Sequence, residues 1–249
     1  FLVLSNIISE LTSIIILFFF LPKNFKLTKK DLTPSLNNMK DILEISLPTT
    51  GSRLIGTIGM FFEPIIFTYF LLKLGYSNQY ILNEYGILNG YVMPLILLPS
   101  FFTGAISQAL LPIVSNGYAN NHIKYTRSKI KQGIFFSLLI GIPATIIFVL
   151  VPQIPLKLIF NTDQGINYIK ILAPICLLHY IQSPLTSSLQ AIGKSSEAMK
   201  DTLVGMILRT ISLIICCYLN LGIYSLIVAS SINIIYVTIA HFIKIKKLI

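Results

Sequence analysis

Residues 42–72 read ILEISLPTTGSRLIGTIGMFFEPIIFTYFLL, an apolar stretch longer than the roughly 20 residues that a helix needs to cross a bilayer. Well inside its ends it carries two opposite charges, Arg53 and Glu63. A charge in the hydrocarbon costs about 2.5–3.5 kcal/mol on insertion scales, so it usually faces a cavity or a partner. This stretch therefore predicts a membrane helix that contributes polar groups to a protein interior.

Six further apolar stretches accompany this one, which predicts about seven transmembrane helices. The seven lie at residues 1–21, 42–72, 86–114, 132–151, 166–191, 203–221 and 224–243. The chain is 54% hydrophobic and only 11% charged, too few charges to coat a large soluble globule with a solvated surface. We predict an all-α fold, a polytopic bundle of membrane helices.

The basic residues predict how these helices are oriented. Fourteen of the nineteen Lys and Arg residues fall in alternate gaps and the tail, at residues 22–40, 115–131, 192–202 and 244–249. Because an excess of Lys and Arg marks cytoplasmic loops, we expect a multi-pass protein of the cell membrane with a cytoplasmic C-terminus. The net charge of +10 follows from this orientation. No basic helix, RNA-binding signature or zinc-finger spacing supports a nucleic-acid partner.

Four charged residues lie away from the ends of the predicted spans, namely Glu10, Arg53, Glu63 and Arg209. Arg53 and Glu63 lie about 80° apart around a helix, so they do not share one face. Glu63 either couples transport to protons, counters a basic substrate group, pairs with an Arg of a neighbouring helix, or lies at the outer interface. Arg209 either binds a phosphate through its planar fork or extends to the inner headgroups.

Two stripes of uncharged polar residues have helical spacing. They consist of Asn89, Ser100, Thr103 and Ser107 on the third span, and of His179, Gln182, Thr186 and Gln190 on the fifth. Hydroxyls and amides in this pattern suit a wet cavity that contacts sugars, and they equally suit hydrogen bonds between helices. The chain has no CxxC or zinc-type Cys/His pattern, so neither a metal nor a cofactor is expected.

Several short segments carry a resemblance that extends over nearly the whole chain in order and spacing. They are ISLPTTGSRLI at 45–55, EYGILNGYVMP at 84–94, LLPSF at 97–101, ALLPIVS at 109–115, LQAIGK at 189–194 and GIY at 222–224. Together they resemble the stage V sporulation protein B family of polysaccharide-transport membrane proteins. This family is part of the multidrug/oligosaccharidyl-lipid/polysaccharide exporter superfamily.

The resemblance implies one lobe of a two-lobe, MATE-like transporter, in which two six-helix lobes face each other across a central cavity. On that pattern, residues 1–21 are the last helix of a missing N-terminal lobe and residues 22–41 are a basic cytoplasmic linker. Residues 42–249 are then the six-helix C-terminal lobe. The first residue, Phe1, also favours a chain that begins within a longer protein.

The same resemblance implies a flippase for a lipid-linked oligosaccharide, such as a peptidoglycan precursor used in cell-wall synthesis or sporulation. The expected partners are membrane lipids and the missing N-terminal lobe, and no residue suggests the covalent chemistry of an enzyme. Arg53 matches a basic position of the family and is the first candidate to contact a phosphate. The expected substrate-binding residues are Arg53, Glu63, Asn89, Ser100, Gln182, Gln190 and Arg209.

Three alternative functions stay open from the sequence. A multidrug/cation antiporter of the same superfamily needs a set of membrane carboxylates, and the predicted spans offer only Glu10 and Glu63. A membrane glycan polymerase or acyltransferase needs an extracellular catalytic loop, but the outer gaps are short and contain no His. The third alternative is a truncated paralogue that does not transport.

Overall fold

The computed structural model describes residues 2–19 and 36–248, and every regular element in those residues is a helix. The helices are α1 (Leu2–Phe19), α2 (Leu36–Lys73), α3 (Asn78–Ile87), α4 (Met93–Leu97), α5 (Ser100–Ala119), α6 (Ile123–Leu150), α7 (Gln153–Phe160), α8 (Ile166–Ala191), α9 (Ser195–Tyr218) and α10 (Tyr224–Leu248). A π-helical turn, Leu88–Val92, joins α3 to α4. Most of the predicted linker at 22–41 lies outside the described residues, and α2 begins within its last part.

The chain divides into two compact units, Phe1–Leu43 and Glu44–Ile249. The first unit contains α1, whose described side chains include the exposed apolar residues Ile7, Leu11 and Ile15. An apolar surface of this kind indicates an environment of lipid or of other apolar helices. The second unit contains most of α2 and all the later helices, and it holds the candidate site.

Four helices of the described residues are long and apolar enough to cross a membrane, and a fifth span results if the bent α3–α5 segment counts as one. The four are Ile42–Lys73 of α2, together with α6, α9 and α10. The prediction of a polytopic helix bundle is thus confirmed. Of the other predicted spans, α8 has sufficient length but carries a polar stripe, and α1 contributes the shorter apolar segment Ile7–Ile16.

The third predicted span is bent by 49° between residues 97 and 100. Pro99 immediately precedes α5, and it has no N–H with which to continue the hydrogen bonds of the preceding helix. The π-helical turn further upstream also changes the helical register. These two irregularities interrupt the regular helical spacing on which the predicted stripe from Asn89 to Ser107 depends.

Helix α8 is the central element of the second unit, because it packs against α5, α6 and α10. The larger core cluster includes Tyr180 of α8, whose hydroxyl donates a hydrogen bond of 2.5 Å to the carbonyl of Ile96. A smaller cluster lies near the C-terminal end of α8 and includes Leu185 and Leu189. The polar stripe of α8 lies on the side of the helix that faces α2 and α5.

Candidate functional site

A polar cavity of about 320 Å³ lies between α2, α5 and α8. Its lining consists of Thr49, Ser52, Arg53, Gly104, Ser107, Gln108, His179, Gln182, Ser183, Thr186, Ser187 and Gln190. Among these residues Arg53 is the single permanent charge, and none is a carboxylate. Nowhere in the described ranges do three His, Cys, Asp or Glu side chains come together to hold a metal. The cavity therefore offers hydroxyls, amides and one cation.

The wall formed by α8 carries the predicted polar stripe. Gln182, Thr186 and Gln190 are spaced by four residues, so they lie above one another on one face of the helix. His179 Nδ1 lies 3.3 Å from Gln182 Oε1, and this contact orients both side chains at the N-terminal end of the stripe. The prediction that this stripe lines a cavity agrees with the structure. The alternative, a hydrogen bond between helices, holds for Thr186, which lies 3.1 Å from His241 Nδ1.

The wall formed by α2 supplies the positive charge. Arg53 is exposed and makes no ion pair within the described part of the chain. Thr49 lies one helical turn before it, and the Ser52 hydroxyl donates to the carbonyl of Pro48 at 3.0 Å. The guanidinium group can therefore meet an anion that enters the cavity.

The first turns of α5 form the third wall of the cavity. Ser107 lines it and donates a hydrogen bond of 2.7 Å to the carbonyl of Thr103, which is itself fully buried. Ser100 lies outside the lining, and its buried hydroxyl has no partner among the described residues. Asn89 is exposed and donates to the carbonyl of Tyr85 at 3.3 Å, away from the cavity.

Of the seven predicted contact residues, the structure brings Arg53, Gln182 and Gln190 together. Sequence analysis missed half of the lining, namely Thr49, Ser52, Gly104, Gln108, Ser183 and Ser187. The signal was present, because these positions lie next to a predicted lining residue or one helical turn from it.

Glu63 and Arg209 form an ion pair outside the polar cavity. Arg209 Nη2 lies 2.5 Å from Glu63 Oε2, and the two side chains are only 13% and 9% exposed. This contact agrees with the alternative in which Glu63 pairs with an Arg of a neighbouring helix. The pair joins α2 to α9, so neither residue is free to meet a ligand in the cavity.

A second charged cluster joins α9 to α10. Lys244 Nζ lies 2.8 Å from Asp201 Oδ1, and His241 Nε2 lies 3.8 Å from Asp201 Oδ2. Asp201 and His241 are both buried. His241 also contacts Thr186 of the lining, so this cluster is connected directly to the α8 wall of the cavity. Sequence analysis did not anticipate it, since Asp201 precedes the apolar stretch 203–221 and a charge at a span end is common.

Family models match the two halves of the chain. One, described as polysaccharide biosynthesis protein, matches residues 1–118, and another with the same description matches residues 121–248. Stage V sporulation protein B of Bacillus subtilis (strain 168) is 32% identical over 254 residues, covering 99% of this chain and 49% of the relative. Sporulation protein YkvU of the same organism is 26% identical over 209 residues, covering 84% of this chain and 47% of the relative. The chain spans about half the length of these curated relatives.

Solved structures share the fold. A crystal structure of MATE in the bent conformation has a TM-score of 0.78 at 17% identity, covering 92% of this chain and 50% of that one. An outward-facing multidrug resistance MATE family transporter of the MOP superfamily gives a TM-score of 0.71 at 17% identity, covering 96% of this chain and 53% of that one. At such identities the comparison shows the fold alone. The fold is that of half a MATE chain.

Proposed function

The chain belongs to the polysaccharide biosynthesis protein family, and on that premise we propose that it forms one lobe of a membrane flippase for a lipid-linked oligosaccharide. The observation that carries the proposal is the cavity between α2, α5 and α8, whose lining has many uncharged polar groups and one cation, Arg53, that forms no ion pair with a described residue. Lipid-linked saccharides present one or two phosphates next to sugar hydroxyls. The two kinds of group in the lining complement the two parts of such a headgroup.

Each polar wall has its own role in this proposal. Arg53 contacts a phosphate, since its planar fork can donate two parallel hydrogen bonds to phosphate oxygens. Gln182 and Gln190 meet sugar hydroxyls, because a carboxamide both donates and accepts hydrogen bonds. The lipid tail stays in the bilayer, where the apolar outer surfaces of the helices lie.

The cavity lies toward the end of the bundle that the basic residues predict to be cytoplasmic. Arg53 is in the first half of α2, and Gln190 is next to the last residue of α8. A headgroup made on the cytoplasmic side would thus meet the cavity from the inner leaflet. We infer that an N-terminal lobe supplies the facing wall, and that rocking of one lobe against the other moves the headgroup outward.

The four remaining predicted contact residues have other roles in this proposal. Glu63 and Arg209 hold α2 against α9 through their ion pair. Asn89 and Ser100 lie on the bent third span, where the Asn89 amide donates to the carbonyl of Tyr85 and the Ser100 carbonyl accepts from the Thr103 hydroxyl. Of the seven predicted contact residues, only Arg53, Gln182 and Gln190 contact the headgroup in this proposal.

The antiporter alternative has less support from the geometry. A drug cation requires carboxylates that face it, whereas the described lining contains none. The two buried carboxylates nearest to the bundle interior, Glu63 and Asp201, already lie beside Arg209 and Lys244. The truncated-paralogue alternative predicts that the chain binds neither kind of substrate.

Binding tests separate these functions even if the chain needs a second lobe to transport. The purified protein in neutral detergent is titrated with a polyprenyl pyrophosphate disaccharide and, separately, with tetraphenylphosphonium, and bound ligand is counted by native mass spectrometry. The flippase lobe binds the pyrophosphate lipid, and Arg53→Gln weakens that binding by roughly 10- to 100-fold, the loss of one charge-assisted hydrogen-bonded pair. Arg53→Lys loses part of the affinity, because it keeps the charge without the fork.

Lys170→Gln is the matched control, since Lys170 is an exposed cation of α8 outside the cavity lining. It should leave binding unchanged. Tighter binding of tetraphenylphosphonium than of the pyrophosphate lipid would favour the antiporter, and binding of neither would favour the non-transporting paralogue. Equal losses in Arg53→Gln and Lys170→Gln would remove Arg53 from the site.

A further inference from the structure

A second groove lies at the end of the bundle where α6 begins and α10 ends. Its volume is about 330 Å³, and it is lined by Arg127, Ile130, Lys131, Ile134, Leu185, Phe242, Ile245 and Lys246. None of these residues lines the polar cavity described above. The groove is therefore a separate site on the same lobe.

The floor of the groove is apolar and firmly packed. Ile130 of α6, Leu185 of α8 and Ile245 of α10 are all buried and belong to one hydrophobic cluster. Phe242, one turn before Lys246, is 52% exposed and forms a wall. Because α8 packs against both α6 and α10, Leu185 lies at the bottom between them. An apolar chain can lie along this floor.

The rim of the groove is basic. Arg127 and Lys131 are one turn apart on α6, so both point to the same side of that helix. Lys246 lies in the last turn of α10, across the groove. Lys131 and Lys246 make no ion pair with any described residue, and the lining contains no carboxylate. Lys131 and Lys246 thus place positive charge on both sides of an apolar floor, with no carboxylate among the lining residues that the structure describes.

The surroundings of the groove favour a lipid as its occupant. Phe135 and Leu139 of α6 and Ile243 of α10 are apolar and 60%, 59% and 45% exposed, so the nearby helix surfaces suit hydrocarbon. Basic pockets between transmembrane helices on the cytoplasmic side recognise anionic headgroups, and the basic gaps predict this end to be cytoplasmic. A free anion would fill the rim and leave the apolar floor uncovered.

We propose that this groove binds an anionic phospholipid of the inner leaflet. The phosphate lies between Lys131 and Lys246, and the start of one acyl chain lies over Leu185 against Phe242. The volume is at the lower end of the roughly 300–1,000 Å³ that ligand sites span, which suits a headgroup and the start of a chain. This inference does not depend on the transported substrate.

The test uses the purified full chain in neutral detergent, with bound lipid counted by native mass spectrometry. It is titrated with dioleoyl phosphatidylglycerol, with dioleoyl phosphatidylcholine and with glycerol phosphate. One phosphatidylglycerol should bind more tightly than phosphatidylcholine, and glycerol phosphate should not compete. Lys131→Gln with Lys246→Gln should weaken phosphatidylglycerol binding about 25-fold, since each cation near an anionic lipid contributes about fivefold.

Lys124→Gln with Lys200→Gln is the matched control, because these exposed lysines lie toward the same end but outside the groove. This variant should bind phosphatidylglycerol like the parent. Phe242→Ala should weaken both lipids alike and preserve their ratio, a readout of the chain contact alone. The thermal unfolding midpoint of each variant without added lipid should match that of the parent, because the substituted side chains are exposed.

Three results would overturn the proposal. Equal affinity for phosphatidylcholine would show that the rim does not select an anion. Equal competition by glycerol phosphate would show an anion site without a chain site. Equal losses in the groove variant and the control variant would reduce the effect to net charge.

Discussion

Helix α9 packs against α10 and against α2 with different kinds of side chain. Toward α10 it presents Gly205, where an added Cβ would lie 2.5 Å from Val237 Cγ2 and 2.9 Å from Asn233 Nδ2. Toward α2 it presents Met199 and Met206, and their flexible ends fill the space over glycines of α2. The first contact is close and involves a branched side chain, whereas the second depends on side chains that adapt their shape.

The charged contacts and the extent of packing also differ between the α9–α10 contact and the α2–α9 contact. The α9–α10 contact carries the Asp201–His241–Lys244 cluster, and the two helices pack over much of their length. Between α2 and α9 the described side chains form one ion pair, Glu63–Arg209, beside an apolar groove of about 410 Å³. Helix α2, which supplies Arg53 to the cavity, is thus held to α9 less tightly than α10 is. A loosely held wall can move at small energetic cost.

The largest effect is expected from breaking the ion pair on the loosely packed side. Arg209→Leu leaves the Glu63 carboxylate buried without its partner, which should lower the free energy of unfolding by about 3 kcal/mol or more. The measurement is unfolding in mixed micelles, followed by helical circular dichroism. The double variant Glu63→Leu with Arg209→Leu buries no charge and should recover most of the loss. If the double variant is as unstable as the single one, the loss does not come from an unpaired buried carboxylate.

An intermediate effect is expected on the tightly packed side. Gly205→Ala forces its new methyl group against Val237, and overpacking of this kind costs about 1–3 kcal/mol. The same unfolding measurement applies. Gly56→Ala is the control, because no atom lies within 4 Å of an added Cβ there, and alanine is the better helix former by up to about 1 kcal/mol. Equal changes in the two variants would contradict the close α9–α10 contact.

The smallest effect is expected for the corresponding change on the loosely packed side. An alanine at Gly59 would place its Cβ 1.4 Å from Met206 Cε, the far end of a flexible side chain. Because Met206 can change rotamer, we expect a loss below about 1 kcal/mol in Gly59→Ala. In a Met206→Val background, the stiff branched side chain cannot rotate away in the same manner, so the loss of stability in Gly59→Ala should be larger there than in the parent. A loss in Gly59→Ala larger than that in Gly205→Ala would reverse the comparison between the two contacts.

The sequence alone predicted one wall of the cavity well. Gln182, Thr186 and Gln190 repeat every four residues in an apolar helix, and the helical period alone puts them on one face. Arg53 was predicted to face a cavity or a partner, because a charge in hydrocarbon is costly, and the family resemblance implied that it contacts a phosphate. The third span was harder, since the π-helical turn and the bend near Pro99 interrupt the regular helical spacing between Asn89 and Ser107.

The sequence by itself determined the helical membrane fold, the family and the residues that share a face, because hydrophobic runs and helical periodicity are local properties of the chain. Only the tertiary structure decided which faces meet. It paired Glu63 with Arg209, although 146 positions separate them along the chain. It also placed Arg127 and Lys131 opposite Lys246 over an apolar floor. Such contacts depend on how helices distant in sequence pack together, and no local pattern encodes that arrangement.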